Sequence, residues 1–464
     1  MKRQLVAGCI SISSFSVHNL NSKALTMVRK PWTRKSQRLK KIHQNPLRVR
    51  TTMNRSHRAS APGFFNRLPA EVIDMILDQL SVLDISVFSM VSKEITSYVV
   101  NYISSLAWKN KTIIQSFHCS RSLQQRSTAV HYRQLGLLFK RCTLLLPTKE
   151  RLKFIFSKFS QIPCYMLEQC SSSGCIGFSR FGIFLETLIA GWDELECHRV
   201  FNYLCELTNL MQKTEAVLKT KPGLKGYQEK QLRLFCRQVL LDPWLNQPNC
   251  QFWLVQLLKP WPIFSQAHLL LILYGPLLPE GFLGWQNLVD TVLPHDALRD
   301  LANGIHILFG ELEVKGWTTD SMLAILEELT AIPQPWHVEN VARLLVLCGS
   351  RTCYTILTSK AVNGRFTEIS ELLIYIILVC EKDGFSMSWA VKLVQHIYKS
   401  LSSAPEKFVF IQKLENKFTE ITRELLDSFL IGNHAEDRET FLMLTILMDS
   451  NAHFHTLLIK TLLK

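Results

Sequence analysis

The sequence predicts an all-α protein in three parts. These are a disordered basic tail over residues 1–62, a short three-helix unit over residues 63–108, and a long, irregular, solenoid-like helical body over residues 109–464. Two observations carry the fold class: apolar residues recur at helical spacing in stretches of about 10 to 20 residues punctuated by Pro, Gly or Asp/Ser pairs, and strand-like alternation is scarce. A third observation divides the chain. Residues 1–62 hold 14 Lys and Arg and no Asp or Glu, so a net charge of +15 shrinks to +1 over the rest. With 47% apolar residues among 464 the chain can bury a large core. Its 19 Gly, 17 Pro and 20% charged residues exclude collagen-like and low-complexity classes.

In the tail, the densest cluster runs from Arg29 to Lys41 and is basic at seven of thirteen positions: Arg29, Lys30, Arg34, Lys35, Arg38, Lys40 and Lys41. Pro31 and the polar neighbours argue against a packed helix there. Such a cluster suits an acidic receptor groove, nucleic acid or anionic lipid. Nuclear import is the preferred reading, against a solvated tail with no receptor or a mitochondrial presequence whose Arg stripe is poor. The near-neutral body makes nucleic-acid binding a minority reading. The string Val6 to Cys9 imitates a lipoprotein cleavage site, but no apolar segment precedes it.

The three-helix unit opens at Leu68-Pro69-Ala70-Glu71, where Pro suits a first helical turn and Glu complements the helix dipole. At about 100° per residue, Val72, Ile73, Ile76, Leu77 and Leu80 span an arc of about 140°, with Glu71, Asp74 and Asp78 opposite. Ser81 with Asp84 has capping-box character and opens a second helix through Val91. Ser92 can cap a third, on which Ile95, Val99 and Ile103 recur every four residues. Three helices in about 40 residues cannot bury enough surface to stand alone, so the unit leans on a neighbour.

Leu68-Pro69, Glu71, Ile76, Leu80, Asp84 and Val91-Ser92-Lys93 fall, without a gap, at the spacing of an F-box, which residues 65–105 resemble throughout. The resemblance implies a plug that docks on the S-phase-kinase-associated adaptor (the Skp adaptor), which hangs on a cullin-RING core. It further implies that Leu68, Pro69, Val72, Ile76, Leu80, Ile85 and Val91 contact that adaptor. One position departs from the family pattern: Ile95 stands where many F-boxes carry Trp, and an aliphatic side chain there still fills an apolar hole.

The body's clearest helical stretches are 132–145, 149–159, 194–210, 228–241, 320–329, 338–347, 367–380 and 406–430. The later Trp residues, at 192, 244, 253, 261, 285, 317, 336 and 389, keep no fixed period and read as core. Leucine-rich, WD and kelch repeats are thereby excluded. No run of about 18 apolar residues occurs; 268–274, stopped by Gly275-Pro276, and 372–380 have the length of buried helices. The strings Leu135–Lys153, Ala190–Val200, Leu258–Pro262 and Ser359–Arg365 resemble one group within the F-box proteins, over roughly residues 64–460. From residue 110 onward the body is expected to fold as one cooperative unit without the F-box. Its weak points are expected at 219–226 and 402–406.

No chemistry of the chain's own is expected. Thirteen Cys, scattered singly and odd in number, suit a reduced compartment. Cys164, Cys170 and Cys175 lack the C-x-x-C knuckles of a zinc site. In Trp192-Asp-Glu-Leu-Glu-Cys-His198, adjacent Cys197 and His198 point about 100° apart on a helix, and the acids fit a helix start. His453-Phe-His455 has no third ligand in sequence. No phosphate loop or nucleophile elbow occurs. The expected role is therefore that of a non-catalytic subunit without cofactor, nuclear or cytoplasmic, that brings an unidentified client to a ubiquitin ligase. The alternative is a scaffold bound to the Skp adaptor that stabilises its partner.

Overall fold

The computed structural model describes residues 64–117, 125–162, 176–245, 249–309, 318–431 and 437–462. It divides into two units, Met1–Ala61 and Pro62–Lys464. The first, with the basic cluster, lies wholly outside the described residues, as do Cys164, Cys170, Cys175 and Trp317.

Three helices open the second unit: α1 (Ala70–Gln79), α2 (Val82–Phe88) and α3 (Lys93–Ser104). Their starts are fixed by hydroxyl caps where the sequence places them. Ser81 Oγ accepts from the Asp84 N–H at 3.2 Å, and Ser92 Oγ from the Ile95 N–H at 3.2 Å. The helices run up, down and up. Tyr102 Oη donates to Asp78 at 2.6 Å where α1 and α3 end, while Thr96 Oγ1 donates to Ser89 O at 2.6 Å where α2 gives way to α3. Ile73, Leu77, Ile85, Ile95, Val99 and Ile103 meet between them, with Ile95 filling the hole left to it.

The unit does lean on a neighbour. After α4 (Leu106–Lys109), a π-helical turn and α5 (Gln115–Phe117), helix α6 (Gln125–Cys142) packs lengthwise and parallel on α2. Arg141 Nη1 donates to Ser86 Oγ at 2.9 Å, and both Ser86 and Ser89 are buried in that contact. By packing, Pro62–Lys464 is one unit. Helix α7 (Thr148–Phe156) returns upward, and Lys158 Nζ reaches Ser104 Oγ at 3.4 Å.

Close approach then sets the architecture. Helix α8 (Gly177–Ile189) lies against α6 at Gly136, where a Cβ would stand 2.8 Å from that of Thr187. Gly182 of α8 meets a π-helical turn, Cys236–Leu241, so tightly that a Cβ would lie 2.0 Å from the Gln238 carbonyl oxygen. Only glycine admits that approach. Helix α9 (Glu194–Thr208) stops at Asn209, which turns left-handed (φ 52°) and begins α10 (Leu210–Leu218). The stretch expected as one helix over 194–210 is thus interrupted. Helix α11 (Gly226–Phe235) runs straight into the π-helical turn.

Beyond it, helices alternate between two rows. These are α12 (Asn249–Leu258), α13 (Ile263–Tyr274), α14 (Trp285–Asp290), α15 (Arg299–Phe309), α16 (Thr319–Leu329), α17 (Val338–Leu347), α18 (Gly349–Val362), α19 (Phe366–Lys382), α20 (Met387–Ser400), α21 (Ala404–Ile431) and α22 (Asp437–Leu462). The odd-numbered helices pack in series, α11 on α13, α13 on α15, α15 on α17, α17 on α19 and α19 on α21; α18, α20 and α22 form a second series, and α13 also packs extensively on α16. This is the packing of a solenoid, in which each pair buries its apolar stripe only against its neighbours. Helix α13 is covered on every side from Gln266 to Tyr274, and Trp244, Trp253, Trp285 and Trp336 are core residues as expected. Among the described residues there is no strand, only an isolated bridge between Leu277 and Leu283.

Buried charge ties α17 to α19 within the first row. Arg343 donates to Leu293 O (2.9 Å), Glu339 (3.0 Å) and Asp383 (2.8 Å), and Lys382 completes Glu339 at 2.9 Å. The stretch 402–406 forms the start of α21. Ser403 Oγ accepts from the Glu406 N–H, and the Glu406 carboxylate accepts from the Ser403 N–H, a reciprocal cap that orders the segment.

Candidate docking surface at the foot of the first three helices

The wide apolar arc of α1 serves two faces. Ile73 and Leu77 turn inward, Ile76 and Leu80 sit half-buried at the border, and Val72 points outward together with Met75, which is 68% exposed. Leu68 is half-buried and Pro69 exposed at the helix start. At the far end of α2, Val87 is exposed, as are Met90 (58%) and Val91 (65%) in the turn to α3. Phe65 packs edge-on against Phe88 with ring centres 5.1 Å apart, which holds the start of α1 beside the end of α2. Leu68, Pro69, Val72, Met90 and Val91 therefore share one end of the unit.

Six of the seven sequence-chosen positions are thus exposed or half-buried on this unit. Ile85 is not: at 2% exposure it belongs to the interior. On α2 the exposed apolar positions are Leu83 and Val87. Met75, Val87 and Met90 were passed over, although Met75 stands three residues after Val72 and so on the same helical side. A groove of about 850 Å³ also opens between α1, α3 and α6, bordered by Asp74, Asp78, Tyr98, Tyr102, Lys111 and His131. Its Tyr102 phenol is held protonated by burial and by the Asp78 carboxylate it donates to.

Such a surface can hold another protein. The catalytic-looking residues elsewhere have other uses. Asp193 caps α9 by accepting from the Glu196 N–H at 2.8 Å, and Glu196 accepts from Thr148 Oγ1 at 2.9 Å. Burial pushes the Cys197 thiol up to about 11, away from thiolate chemistry, while His198 pairs with Asn202. His453 and His455 diverge around buried Phe454, reaching Glu381 at 3.1 Å and Glu415 at 2.7 Å, which fastens α22 to α19 and α21. Among the described residues no group of His, Cys, Asp or Glu is arranged to hold a metal, and no helix is long and apolar enough to cross a membrane. The nuclear-import candidates Arg29, Lys30, Arg34, Lys35, Arg38, Lys40 and Lys41 lie outside the described residues.

Comparison with known proteins agrees with this geometry. The F-box domain family matches residues 65–101, which take in α1, α2 and most of α3. A family described as "FBXO47, ARM repeats" matches residues 207–464, the part of the chain in which alternate helices stack. A mouse (Mus musculus) protein, F-box only protein 47, is 44% identical over 401 residues, covering 85% of this chain and 89% of its own. The human (Homo sapiens) protein of the same name is 43% identical over 398 residues, covering 85% and 88%. No solved structure matches.

Proposed function

Because the chain belongs to the F-box only protein 47 family, we propose that it is the client-recruiting subunit of a ligase built on the Skp adaptor and a cullin-RING core. The observation that carries this reading is the exposed apolar surface of Leu68, Pro69, Val72, Met90 and Val91 on a rigid three-helix unit. In water such a surface is a liability, and it fits a partner that covers it. The chain then works by proximity: the F-box holds the ligase core, the helical body holds a client, and the client's lysines are kept at high local concentration near the charged enzyme. No bond is made or broken on this chain. The basic cluster Arg29 to Lys41 supports a nuclear site of action.

The direct test is co-purification of the full chain with the Skp adaptor and cullin. Replacing Leu68 and Pro69 by Ala should abolish it, because loss of buried interface anchors typically costs about 2 kcal/mol each. Full retention in the double variant would refute the F-box reading. Client half-life, measured in cells with and without the chain, separates recruitment for degradation from stabilisation of a bound partner. For localisation, a fluorescent fusion of residues 1–62 should enter the nucleus and be excluded once Arg34, Lys35, Lys40 and Lys41 become Ala; accumulation in mitochondria would overturn it.

A further inference from the structure

The turn between α6 and α7 carries three consecutive leucines facing solvent. Leu144 is 68% exposed and Leu145 76%, with Leu146 beside them. This turn is held firmly. Leu146 N–H donates to Thr143 O at 3.1 Å, and Arg151 donates to Thr143 Oγ1 at 3.0 Å and to Lys140 O at 3.2 Å. The Arg151 guanidinium in turn lies 4.3 Å over the Trp192 ring. A solvated loop has no need of such fastening, and three apolar side chains on a fixed turn form a surface of set shape.

Its position gives the turn a meaning. Helix α6 runs parallel to α2, and its last turn meets the end of α2, where Arg141 Nη1 donates to Ser86 Oγ at 2.9 Å. The leucines therefore lie at the same end of the molecule as Pro69, Met90 and Val91. Residues 142–147 and 89–92 carry no charge, while Lys93, Glu94, Lys149 and Glu150 stand at the margins. An uncharged centre inside a charged rim is the anatomy of a protein interface.

We propose that the adaptor-docking surface extends from the F-box onto the α6–α7 turn, with Leu144, Leu145 and Leu146 as its second part. The proposal rests on the F-box reading above and adds to it. An adaptor gripping both parts fixes the helical body, and so the client, at one orientation to the ligase core. The partner is the Skp adaptor and not a client or a second copy, because the leucines continue the face that the F-box presents.

The experiment measures the affinity of the purified full chain for the purified Skp adaptor. It compares wild type, the double variant Leu144→Ser/Leu145→Ser, and the F-box variant Leu68→Ala/Pro69→Ala as a control. Loss of two anchors is expected to weaken binding by about tenfold or more, with an unchanged thermal midpoint because both side chains are already in water. Should the double variant melt early, Leu145→Ser alone carries the test on the same criterion. Affinity within about twofold of wild type, while the control loses binding, overturns the proposal and leaves the F-box reading standing. A wild-type chain that does not bind the adaptor overturns both. If sedimentation instead shows self-association that the serines abolish with adaptor affinity unchanged, the turn is a contact between copies and the proposal falls.

Discussion

His268 offers a test of how the body's core is energetically arranged. It lies in the middle of α13 at 1% exposure, edge-on to Trp285, and neither ring nitrogen has a hydrogen-bond partner among the described residues. Burial alone holds its pKa down to about 4 against an ordinary 6.5. The sign follows from which state binds the proton. Above pH 6.5 both folded and unfolded chains carry neutral imidazole, and the folded state loses nothing. Between 6.5 and 4 the unfolded chain takes up a proton that the folded chain refuses, so stability falls with pH and stops falling below about 4. At about 1.4 kcal/mol per pKa unit the full loss is about 3 kcal/mol, of which about 2 kcal/mol has gone by pH 5. His268→Leu removes the titration and also an unsatisfied polar group whose burial costs about 1–3 kcal/mol. Urea unfolding of both chains at pH 7.5 and pH 5 is the assay. The variant should be the more stable at pH 7.5, and its advantage should widen by about 2 kcal/mol at pH 5. Equal differences at both pH values would refute the reasoning, since the histidine would then titrate alike in both states.

Arg343→Met leaves Asp383 without its buried partner and Glu339 with Lys382 alone, and should cost about 3–5 kcal/mol, read as a fall in the urea midpoint. Gly182→Ala sets two effects against each other. Helix propensity favours Ala by about 1 kcal/mol, but a Cβ 2.0 Å from the Gln238 carbonyl must push α8 off the π-helical turn. Crowding should win, lowering the thermal midpoint, whereas Ser179→Ala on the exposed side of α8 should be neutral or slightly stabilising. A fragment of residues 110–464 should melt below the full chain and bind a hydrophobic dye, because removing α2 bares the face of α6 it covers. An identical midpoint would mean that the F-box contributes nothing to the body.

What the sequence made legible was local. The 3.6-residue period marked α17 at its observed bounds, and Ser81 and Ser92 cap the helices they were expected to cap. Those signals need only residues three or four apart. The errors arise where the deciding contact is remote. Periodicity shows that α1 has an apolar arc, but only the packing of α3 decides that Ile73 faces in and Met75 out. Likewise, only tertiary packing shows that Ile85 is buried. Leu144 and Leu145 extend a helical pattern and were placed inside a helix, yet α6 ends at Cys142, and Arg151, brought back by α7, fixes the turn. The 402–406 segment is a different case: its cap joins Ser403 and Glu406, only three residues apart, and so was open to a local reading. Arg343 and Asp383, 40 residues apart, carry no mutual signal at all. The docking surface inherits this division. Its proposed F-box part lies on a motif whose residues stand at fixed local spacing, whereas its proposed second part exists only because a tertiary contact carries the end of α6 to the end of α2. A surface of the second kind has no spacing to search for; it consists of exposed apolar residues that tertiary packing holds beside the proposed F-box interface.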